Sequence, residues 1–339
     1  MTKIRHLREI AITFFCFCFV LPANAQQDED HSCAGEWTMI EGRGEPTARH
    51  ENGFVEVDGK FYLLGGRGIK PVDIFDPASR EWSEGAPPPI EIHHFQAVAY
   101  EGRIYVIGAM TGGFPRETPL SHIMIYDPAK DQWEQGDEIP ENRRRGSAGV
   151  AVNGDHAIVL CGIVDGHWGD HVKWVDQYNF HTGEWSVLSD APRARDHFHA
   201  AIKQGKIYCA GGRLSSHSTG EVFQLTIAEV DVYDIRDDSW TTLPESKQLP
   251  TLRAGTATAV LNNSLIIIGG ESGERSTAHD EVEAYNLETN EWTTLSPLVR
   301  GRHGTQAIVR NNTVYIVAGS GNRGGRPELS SIEKFESTR

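Results

Sequence analysis

The sequence predicts an all-β fold: a closed β-propeller of six blades, each blade a four-stranded antiparallel sheet. Three observations predict it. A tight-turn signal recurs six times, each is followed by a β-rich run ending in small residues, and a third strand with a trailing Trp completes the pattern. Internal repeats of this length are typical of propellers and solenoids. One repeat has the strand content of one propeller blade.

The repeats align on their hairpin turns. Gly and Asn dominate these turns because both tolerate the positive φ angles that two-residue hairpin loops require. The turns are Asp58-Gly59, Glu101-Gly102, Asn153-Gly154, Gln204-Gly205, Asn262-Asn263 and Asn311-Asn312. The runs that follow them are FYLLGG, IYVIGA, AIVLCG, IYCAGG, LIIIGG and VYIVAG. Two β-rich runs joined by a tight turn indicate a hairpin, which forms the two inner strands of each blade.

A spaced tryptophan marks the outer strand of each repeat. It follows the Asp or Asn of the third strand by six residues, at Trp82, Trp133, Trp185, Trp240 and Trp292. The sixth repeat reaches Arg339 without one, and the missing tryptophan is Trp37 in the segment EWTMI. We therefore expect the N-terminal strand to complete the last blade. Closure of the ring removes the exposed strand edges of an open array.

The Gly pairs, the Tyr-Asp of the third strand and the spaced Trp resemble the Kelch-repeat family. The resemblance covers nearly all of the chain after residue 35 and rests on six repeats in register. It implies a propeller whose long loops surround the mouth of a central channel. The sequence is also distantly similar to exported Kelch-like propellers of the sialic acid mutarotase type.

The N-terminal residues predict export. Lys3, Arg5 and Arg8 precede an apolar run from Ile10 to Leu21, and Ala23-Asn24-Ala25 is a cleavage-site pattern. Residues 1–25 are therefore predicted to be a signal peptide, residues 26–35 a disordered leader and residues 36–339 the propeller. The expected location is secreted or periplasmic. No other stretch is long and apolar enough to cross a bilayer.

The net charge bears on which partners the protein binds, and the cysteine content bears on whether it forms a disulfide. The formal net charge of −15 argues against nucleic acid. Three of the five cysteines follow the predicted cleavage site, and Cys161 and Cys209 lie in the second strands of neighbouring repeats. We interpret these two as small buried residues, with a disulfide between them as the alternative. No cofactor is predicted.

The two ends of the blades carry different loops. Links between the first and second strands, and between the third and fourth, are short. Links from the second strand to the third, and from one blade to the next, are longer, as in IVDGHWGDHVKW and RLSSHSTGEVFQLT. A rigid scaffold with long loops on one side usually binds its ligand on that side.

Arginines recur at the entrance to the innermost strand in five of the six repeats. These entrance arginines are Arg49, Arg144, Arg195, Arg253 and Arg302. Arginine recognises carboxylate, sulfate and phosphate groups through paired hydrogen bonds. The sequence thus predicts an anion site at the channel mouth, to which His50, His303, Trp168 and His171 are assigned as further ligand-binding residues. The alternative is a structural role, in which each arginine pairs with carbonyls or an acidic residue of a neighbouring blade.

Histidine and glutamate follow the entrance arginines in some repeats, where others have Gly or Ala. Glu51, His94, His197 and His199 are the candidate acids and bases, because imidazole titrates near neutral pH. The same region also suggests a metal site as a separate hypothesis, with ligands drawn from His50, His93, His94, His197, His199 and His303. No local spacing specifies such a site, and no metal ligand is assigned.

Three functions remain open from the sequence. The first is binding of an anionic ligand, a sugar acid, an acidic glycan or an acidic protein segment. The second is an epimerase, mutarotase or lyase acting on a sugar acid with the same His and Glu residues. The third is a scaffold for protein–protein interaction. A ligand screen with an Arg195→Ala variant separates the first two from the third.

Overall fold

Six four-stranded antiparallel sheets build the protein, as the repeats predict. The structure is a computed structural model that describes residues 35–337, which lie within the unit Cys33–Arg339. The innermost strand of each sheet contacts the innermost strands of the two neighbouring sheets, which closes the ring. The all-β six-bladed propeller is therefore confirmed.

The strands of the blades run outward from the channel in chain order. The first three blades consist of β2 (Asn52–Val57), β3 (Lys60–Gly65), β4 (Val72–Asp76) and β5 (Glu81–Gly85); β6 (Ala97–Tyr100), β7 (Arg103–Val106), β10 (His122–Asp127) and β11 (Gln132–Glu138); and β12 (Gly149–Asn153), β13 (His156–Leu160), β14 (Val175–Asn179) and β15 (Trp185–Val187). The short strands β8 (Met110–Thr111) and β9 (Thr118–Pro119) pair with each other in a loop of the second blade.

The remaining blades repeat this order. They consist of β16 (Ala200–Lys203), β17 (Lys206–Cys209), β18 (Asp231–Asp234) and β19 (Ser239–Thr242); β20 (Ala257–Leu261), β21 (Ser264–Ile268), β22 (Val282–Asn286) and β23 (Trp292–Thr294); and β24 (Ala307–Arg310), β25 (Thr313–Val317), β26 (Ile332–Ser337) and β1 (Gly35–Met39). In the described residues, helix is limited to single 3-10 turns at Glu141–Arg143, Gly166–Trp168, His217–Thr219 and Glu245–Lys247.

The N-terminal strand closes the ring, as Trp37 predicts. Strand β1 runs antiparallel to β26 and places Trp37 opposite Phe335. The two ring centroids are 5.6 Å apart, and Trp37 is 5% exposed. The spaced tryptophans of the other five blades pack in the same way against the aromatic residue of the third strand, at centroid distances of 4.8–5.3 Å.

The hairpin of the third blade differs from the prediction by one residue. Asn153 pairs with His156, so the turn residues are Gly154 and Asp155 instead of Asn153 and Gly154. Gly154 is the residue with the positive φ angle (57°). Every position counted from this turn therefore moves by one, which changes the assignment of the arginine before it.

The core lies between neighbouring blades, and two glutamines tie the inner strands together around the channel. The amide oxygen of Gln96 accepts hydrogen bonds from the backbone N–H groups of Val150 and Ala200, which belong to two further blades. Gln306 makes the equivalent bonds to Phe54 and Ala97. The rigid inner ring positions the residues at its mouth.

The two described cysteines are buried and unbonded, which agrees with the interpretation of Cys161 and Cys209 as small core residues. Burial raises the pKa of Cys161 to about 11, so its thiol is protonated at neutral pH.

Some predictions lie outside the described residues. These are the signal peptide, residues 1–25, and the leader, residues 26–35, apart from its last residue, Gly35, which begins β1. Within residues 35–337, no helix has the length and hydropathy needed to cross a membrane.

Candidate functional site

A ring of six residues, one from each blade, forms the mouth of the channel. We call it the rim, and its members are Glu51, His94, Ser147, His197, Gly255 and Gly304. All six have positive φ angles, between 51° and 64°. Backbone hydrogen bonds of 2.5–3.1 Å link successive members, for example from the N–H of His94 to the carbonyl of Glu51. The rim is therefore a fixed backbone structure.

Four rim positions carry side chains where the other two carry glycine. A non-glycine residue in the left-handed region costs of the order of 1–3 kcal/mol, and such residues cluster at functional sites. Glycine at position 304 leaves room for a neighbour, because a Cβ atom there would lie 2.8 Å from the Oε1 atom of Glu51. The rim thus combines acid, imidazole and hydroxyl groups with a gap on one side.

The entrance arginines do not reach the channel mouth, contrary to the sequence prediction. Arg49, Arg195, Arg253 and Arg302 are at most 1% exposed, and each pairs with an acidic residue on the third strand of its own blade. The partners are Asp73, Asp231, Glu283 and Glu333. Each arginine also donates to backbone carbonyls, as Arg253 does to Gly269 and Ile267. Their guanidinium groups are fully used inside the blades, so they are not available to a ligand.

The entrance arginine of the third blade is Arg145, not Arg144. Arg145 is buried and pairs with Asp176 at 2.7 Å, and it donates to the carbonyl of Cys161. Arg144 is partly exposed and pairs with Glu138 at the surface. The one-residue shift of the third hairpin explains the error.

A cavity of about 440 Å³ lies directly above the rim, on the face that carries the long loops. Its lining residues come from the rim, the strand entrances and the loops between second and third strands: His50, Glu51, Arg67, His94, Phe114, His167, Arg213, Val222, Phe223, Glu271, His303, Gly324 and Gly325. Phe114 and Phe223 form apolar walls. A second cavity, lined by the rim residues together with Phe95, Phe198 and His199, holds only about 20 Å³, so the larger space for a ligand lies above the rim.

An open basic cleft of about 1180 Å³ borders the cavity and shares His50, Arg67 and Gly325 with it. The cleft also contains Lys70, Arg323 and Arg326, together with Glu328. Arg326 is exposed. Glu328 pairs with Lys70 and with His50. In a chain of net charge −15, this cleft concentrates cationic side chains beside the cavity.

Three buried histidines meet at the floor of the cavity, and we call His94, His167 and His197 the floor histidines. One ring nitrogen of each lies within 4.8 Å of the others, and the ring centroids are 4.8–5.0 Å apart. Glu51 joins them, with its Oε2 atom 3.5 Å from the Nε2 atom of His94. The sequence predicts His94, His197 and Glu51 as candidate acids and bases at the channel mouth, and the structure brings these three together.

Carboxylates around the floor histidines are held ionised. Burial opposes ionisation of Glu271, but His303 and Arg213 lower its pKa to about 2. Burial likewise opposes ionisation of Asp196, but contacts with His197, His171 and Arg213 lower its pKa well below the usual value.

The pKa of Glu117 falls for the same kind of reason, because hydrogen bonds from His167 and Arg67 outweigh its burial. Burial lowers the pKa values of His94 and His197, which are therefore neutral imidazoles at neutral pH.

The other predicted site residues lie at different depths. His50 and His303 line the cavity, and His303 Nε2 contacts Glu271 at 3.4 Å. His199 lies below the rim in the channel wall, where burial lowers its pKa to about 4. His171 donates to the carbonyl of Ser215 and contacts Asp196, so it supports the site from behind.

Trp168 is not among the residues that line the cavity. The guanidinium of Arg116 covers its ring at 3.9 Å. The aromatic rings that line the cavity are instead those of Phe114 and Phe223.

Several site residues were missed by the sequence analysis, and one signal would have found three of them. Arg67, Arg213 and Glu271 each follow the small-residue pair that ends the second strand. This position pairs with the strand entrance, as Arg213 does with Asp196. The sequence places His167 beside Trp168 in a loop above the same face, but no spacing links a loop residue to two rim residues on other blades.

Comparisons with known proteins agree with this architecture. A family model described as "KLHDC2/KLHL20/DRC7 Kelch-repeats domain" matches residues 135–319, and a Kelch motif matches residues 92–138. The chain is 26% identical over 325 residues to Kelch-like protein terF of Aspergillus terreus, covering 89% of this chain and 67% of that protein. It is 30% identical over 206 residues to human Kelch-like protein 23, covering 59% of this chain but only 34% of that protein.

A solved structure shows the same fold. It is described as "Structure of YjhT" and superposes with a TM-score of 0.72 at 16% sequence identity, covering 85% of this chain and 95% of that one. Identity at this level establishes the fold alone.

Proposed function

The chain belongs to the Kelch-repeat family, and on that premise we propose that its long-loop face binds a small acidic molecule of the sugar-acid class in the cavity above the rim. The observation that carries the proposal is the cavity itself. It is enclosed by the rim and by loops from several blades, and it opens toward the basic cleft.

The size and lining of the cavity favour a small molecule over a protein segment. Its volume of about 440 Å³ lies in the range of ligand pockets. Phe114 and Phe223 present flat apolar surfaces on which the C–H face of a sugar ring can pack. Glu51, His94 and His303 present polar groups to the same space, which suits the hydroxyl groups of a carbohydrate.

The cationic groups that favour an acid lie in the cleft and not in the arginine ring. Arg67 and Arg213 line the cavity but pair with Glu117 and Glu271. Lys70, Arg323 and Arg326 lie farther out, beside the cavity mouth. Charges so placed raise the local concentration of anions and speed their association, and they act less at high ionic strength.

Binding of defined sugar acids tests the proposal. Glucuronic acid, galacturonic acid and N-acetylneuraminic acid would be titrated into the protein by calorimetry, with glucose as the neutral comparison. Arg326→Glu is the variant, because Arg326 is exposed at the cleft, and Arg236→Glu is the matched control. Arg236 is exposed in a turn between third and fourth strands, on the opposite face.

We expect at least one acid to bind and the neutral sugar not to bind. Arg326→Glu should weaken binding by about fivefold to tenfold, which corresponds to about 1 kcal/mol, and Arg236→Glu should leave it unchanged. Absence of binding by every acid would reject the proposal and favour a scaffold for protein interaction.

A second candidate is a proton-transfer enzyme for the same ligand class. The observation that favours it is the contact of Glu51 with His94 on strained rim positions, 3.5 Å apart at the cavity floor. A carboxylate and neutral imidazoles so placed can exchange protons with a bound sugar. The direct test is to use NMR to measure whether the protein accelerates the conversion of one anomer or epimer of the acid to another.

We also propose that the protein is exported, because the cationic start, apolar run and small-residue pattern of residues 1–25 are those of a signal peptide. N-terminal sequencing of the mature protein, with Gln26 as the expected first residue, tests this.

A further inference from the structure

The floor histidines converge although they come from three separate places in the fold. His94 and His197 are rim residues of the second and fourth blades, and His167 lies in the 3-10 turn Gly166–Trp168 of the third. His94 is 3% exposed, His167 is 6% exposed and His197 is 5% exposed. Their convergence is not explained by the acid-binding cavity above them, which does not require three imidazoles in mutual contact.

Hydrogen bonding fixes which nitrogen of His94 carries the proton. The Nε2 atom of His93 lies 3.0 Å from the carbonyl oxygen of Gly112, which only accepts, so this nitrogen is the N–H of His93. The Nδ1 atom of neutral His93 is then an acceptor, and the Nδ1 atom of His94 lies 2.6 Å from it. His94 therefore donates through Nδ1, and its Nε2 atom carries a lone pair.

Carboxylates fix the other two rings in the same way. The Nδ1 atom of His197 donates to Asp196, and the Nδ1 atom of His167 donates to Oε1 of Glu117 at 2.9 Å. Within residues 35–337, the Nε2 atom of His197 is buried and has no hydrogen-bond partner. Histidines that bind metals through Nε2 are typically held by this kind of Nδ1–H bond to a carboxylate or carbonyl.

The Nδ1 atoms of the floor histidines are engaged by His93, Glu117 and Asp196, which leaves an Nε2 lone pair on each ring. One ring nitrogen of each lies within 4.8 Å of the others, and the carboxylate of Glu51 lies beside His94. Acceptors that meet without a donor repel, and a cation between them removes the repulsion. We propose that His94, His167 and His197 bind one divalent transition-metal ion at the floor of the cavity. The site goes beyond the proposed function, because it does not depend on which molecule occupies the cavity.

The geometry admits such an ion after a small adjustment. If the three nitrogens lie within 4.8 Å of one another, a central point exists no farther than about 2.8 Å from each. Bonds from zinc to histidine nitrogen are about 2.0–2.1 Å, so each ring moves inward by less than about 1 Å. The carboxylate of Glu51 lies next to the three rings, with Oε2 3.5 Å from Nε2 of His94, and the cavity above leaves room for a further ligand.

Ligand chemistry selects the class of ion. Three imidazole nitrogens suit zinc, iron(II), copper(II) and other first-row ions, and do not suit magnesium or calcium, which prefer oxygen. The charges around the floor point the same way. The carboxylates in the described surroundings are Glu51, Glu117, Asp196 and Glu271, and the guanidinium groups are Arg67 and Arg213. These carboxylates outnumber the guanidinium groups by four to two, which favours a cation at the floor.

Metal content tests the proposal without any cavity ligand. The protein would be purified without a histidine tag, dialysed against metal-free buffer and analysed by mass spectrometry for first-row metals. The variants are His167→Gln and His197→Gln. The matched control is His279→Gln, another buried histidine, which contacts Ser272 and Glu281 in the fifth blade.

We expect about one ion per chain in the wild-type protein and in His279→Gln, and at least a tenfold lower affinity in both floor variants. Cobalt(II) loaded into the stripped protein should show the visible bands of nitrogen coordination, lost in His197→Gln. Glu117→Gln keeps all three ligands and should weaken binding by about 10–100-fold. It tests the site even where a histidine variant fails to fold.

Two results would overturn the proposal. One is a wild-type protein that carries no metal and whose melting temperature does not rise with zinc, iron(II), copper(II), cobalt(II) or nickel(II). The other is metal binding that survives in both floor variants. Because sugar acids are absent from these measurements, failure here leaves the acid-binding proposal untouched. A titration of the acid into metal-loaded and stripped protein then shows whether the two sites act together.

Discussion

Arg195 and Asp231 form an ion pair inside the fourth blade, with Arg195 Nη2 2.5 Å from Asp231 Oδ2 and both side chains 1% exposed. Arg195 also donates to the carbonyls of Gly211 and Glu229, so one side chain joins the entrance of the inner strand to the second and third strands. The equivalent pairs in four other blades show that this is a repeated structural device.

Arg195→Ala should therefore lower stability and not act on ligand binding alone. It leaves Asp231 buried without its main partner, although Arg193 still contacts that carboxylate, and breaking such a pair costs about 3–5 kcal/mol. Arg144→Ala, at the partly exposed pair with Glu138, should cost no more than about 1 kcal/mol. Denaturant unfolding compares the two variants. An Arg195→Ala protein of normal stability that no longer binds acids would restore the arginine ring as a binding site.

The sequence predicted the blades well because each is specified locally. Turn residues, alternating strands and a Trp six positions after the third strand recur in every copy, and Trp37 fixes the closure. It predicted the site only in part. A register on six copies places Glu51, His94 and His197 on one rim, since equivalent positions of a closed ring share one face.

The sequence could not show how deeply a side chain is buried or in which direction it points. Whether an arginine points into its own blade or into the channel depends on a partner such as Asp231, which lies 36 residues away. The meeting of His167 with two rim residues depends on the path of a loop, and loop paths follow from packing against other blades. One misplaced turn, at Gly154, was enough to assign Arg144 in place of Arg145.

The side chain of Ser147 should lower the stability of the rim. Ser147 has a φ angle of 51°, and its hydroxyl is buried without a hydrogen-bond partner among the described residues. Ser147→Gly removes both penalties and should stabilise the protein by about 1 kcal/mol, since glycine occupies the left-handed region freely. Ala148→Gly, one residue on and without a positive φ angle, should destabilise it by a similar amount. Thermal unfolding reports both, and a lower melting temperature for Ser147→Gly would show that its side chain stabilises the rim.

Acid should lower the free energy of unfolding, because Glu271 then becomes protonated. Burial opposes its ionisation, but His303 and Arg213 lower its pKa from the ordinary 4.5 to about 2. Because the folded pKa is the lower one, the stabilisation is present above pH 4.5 and is lost as the pH falls from 4.5 toward 2. A shift of this size corresponds to about 3 kcal/mol.

Unfolding free energies measured across that pH range check this. Glu271→Gln should flatten the pH dependence, and Glu291→Gln, which removes a mostly exposed carboxylate, should retain the wild-type slope. An unchanged slope in Glu271→Gln would show that other groups carry the acid sensitivity.

Closure of the ring should depend on Trp37 more than on any exposed residue of the same strand. Its indole packs on Phe335 and is 5% exposed, whereas Met39 on the same strand is 42% exposed. Trp37→Ala removes a buried aromatic side chain and should cost about 3–5 kcal/mol, while Met39→Ala should change stability by no more than about 0.5 kcal/mol.

Limited proteolysis adds a local measurement to the unfolding comparison. If β1 closes the sixth blade, Trp37→Ala should expose the N-terminal strand to cleavage at a temperature where the Met39→Ala protein is still resistant. Loss of β1 leaves the edge of β26 unpaired and the inner strands of the first and sixth blades held only by their own contact. Equal resistance of the two variants would mean that the ring is closed by the inner strands alone, and that β1 follows the blade without stabilising it.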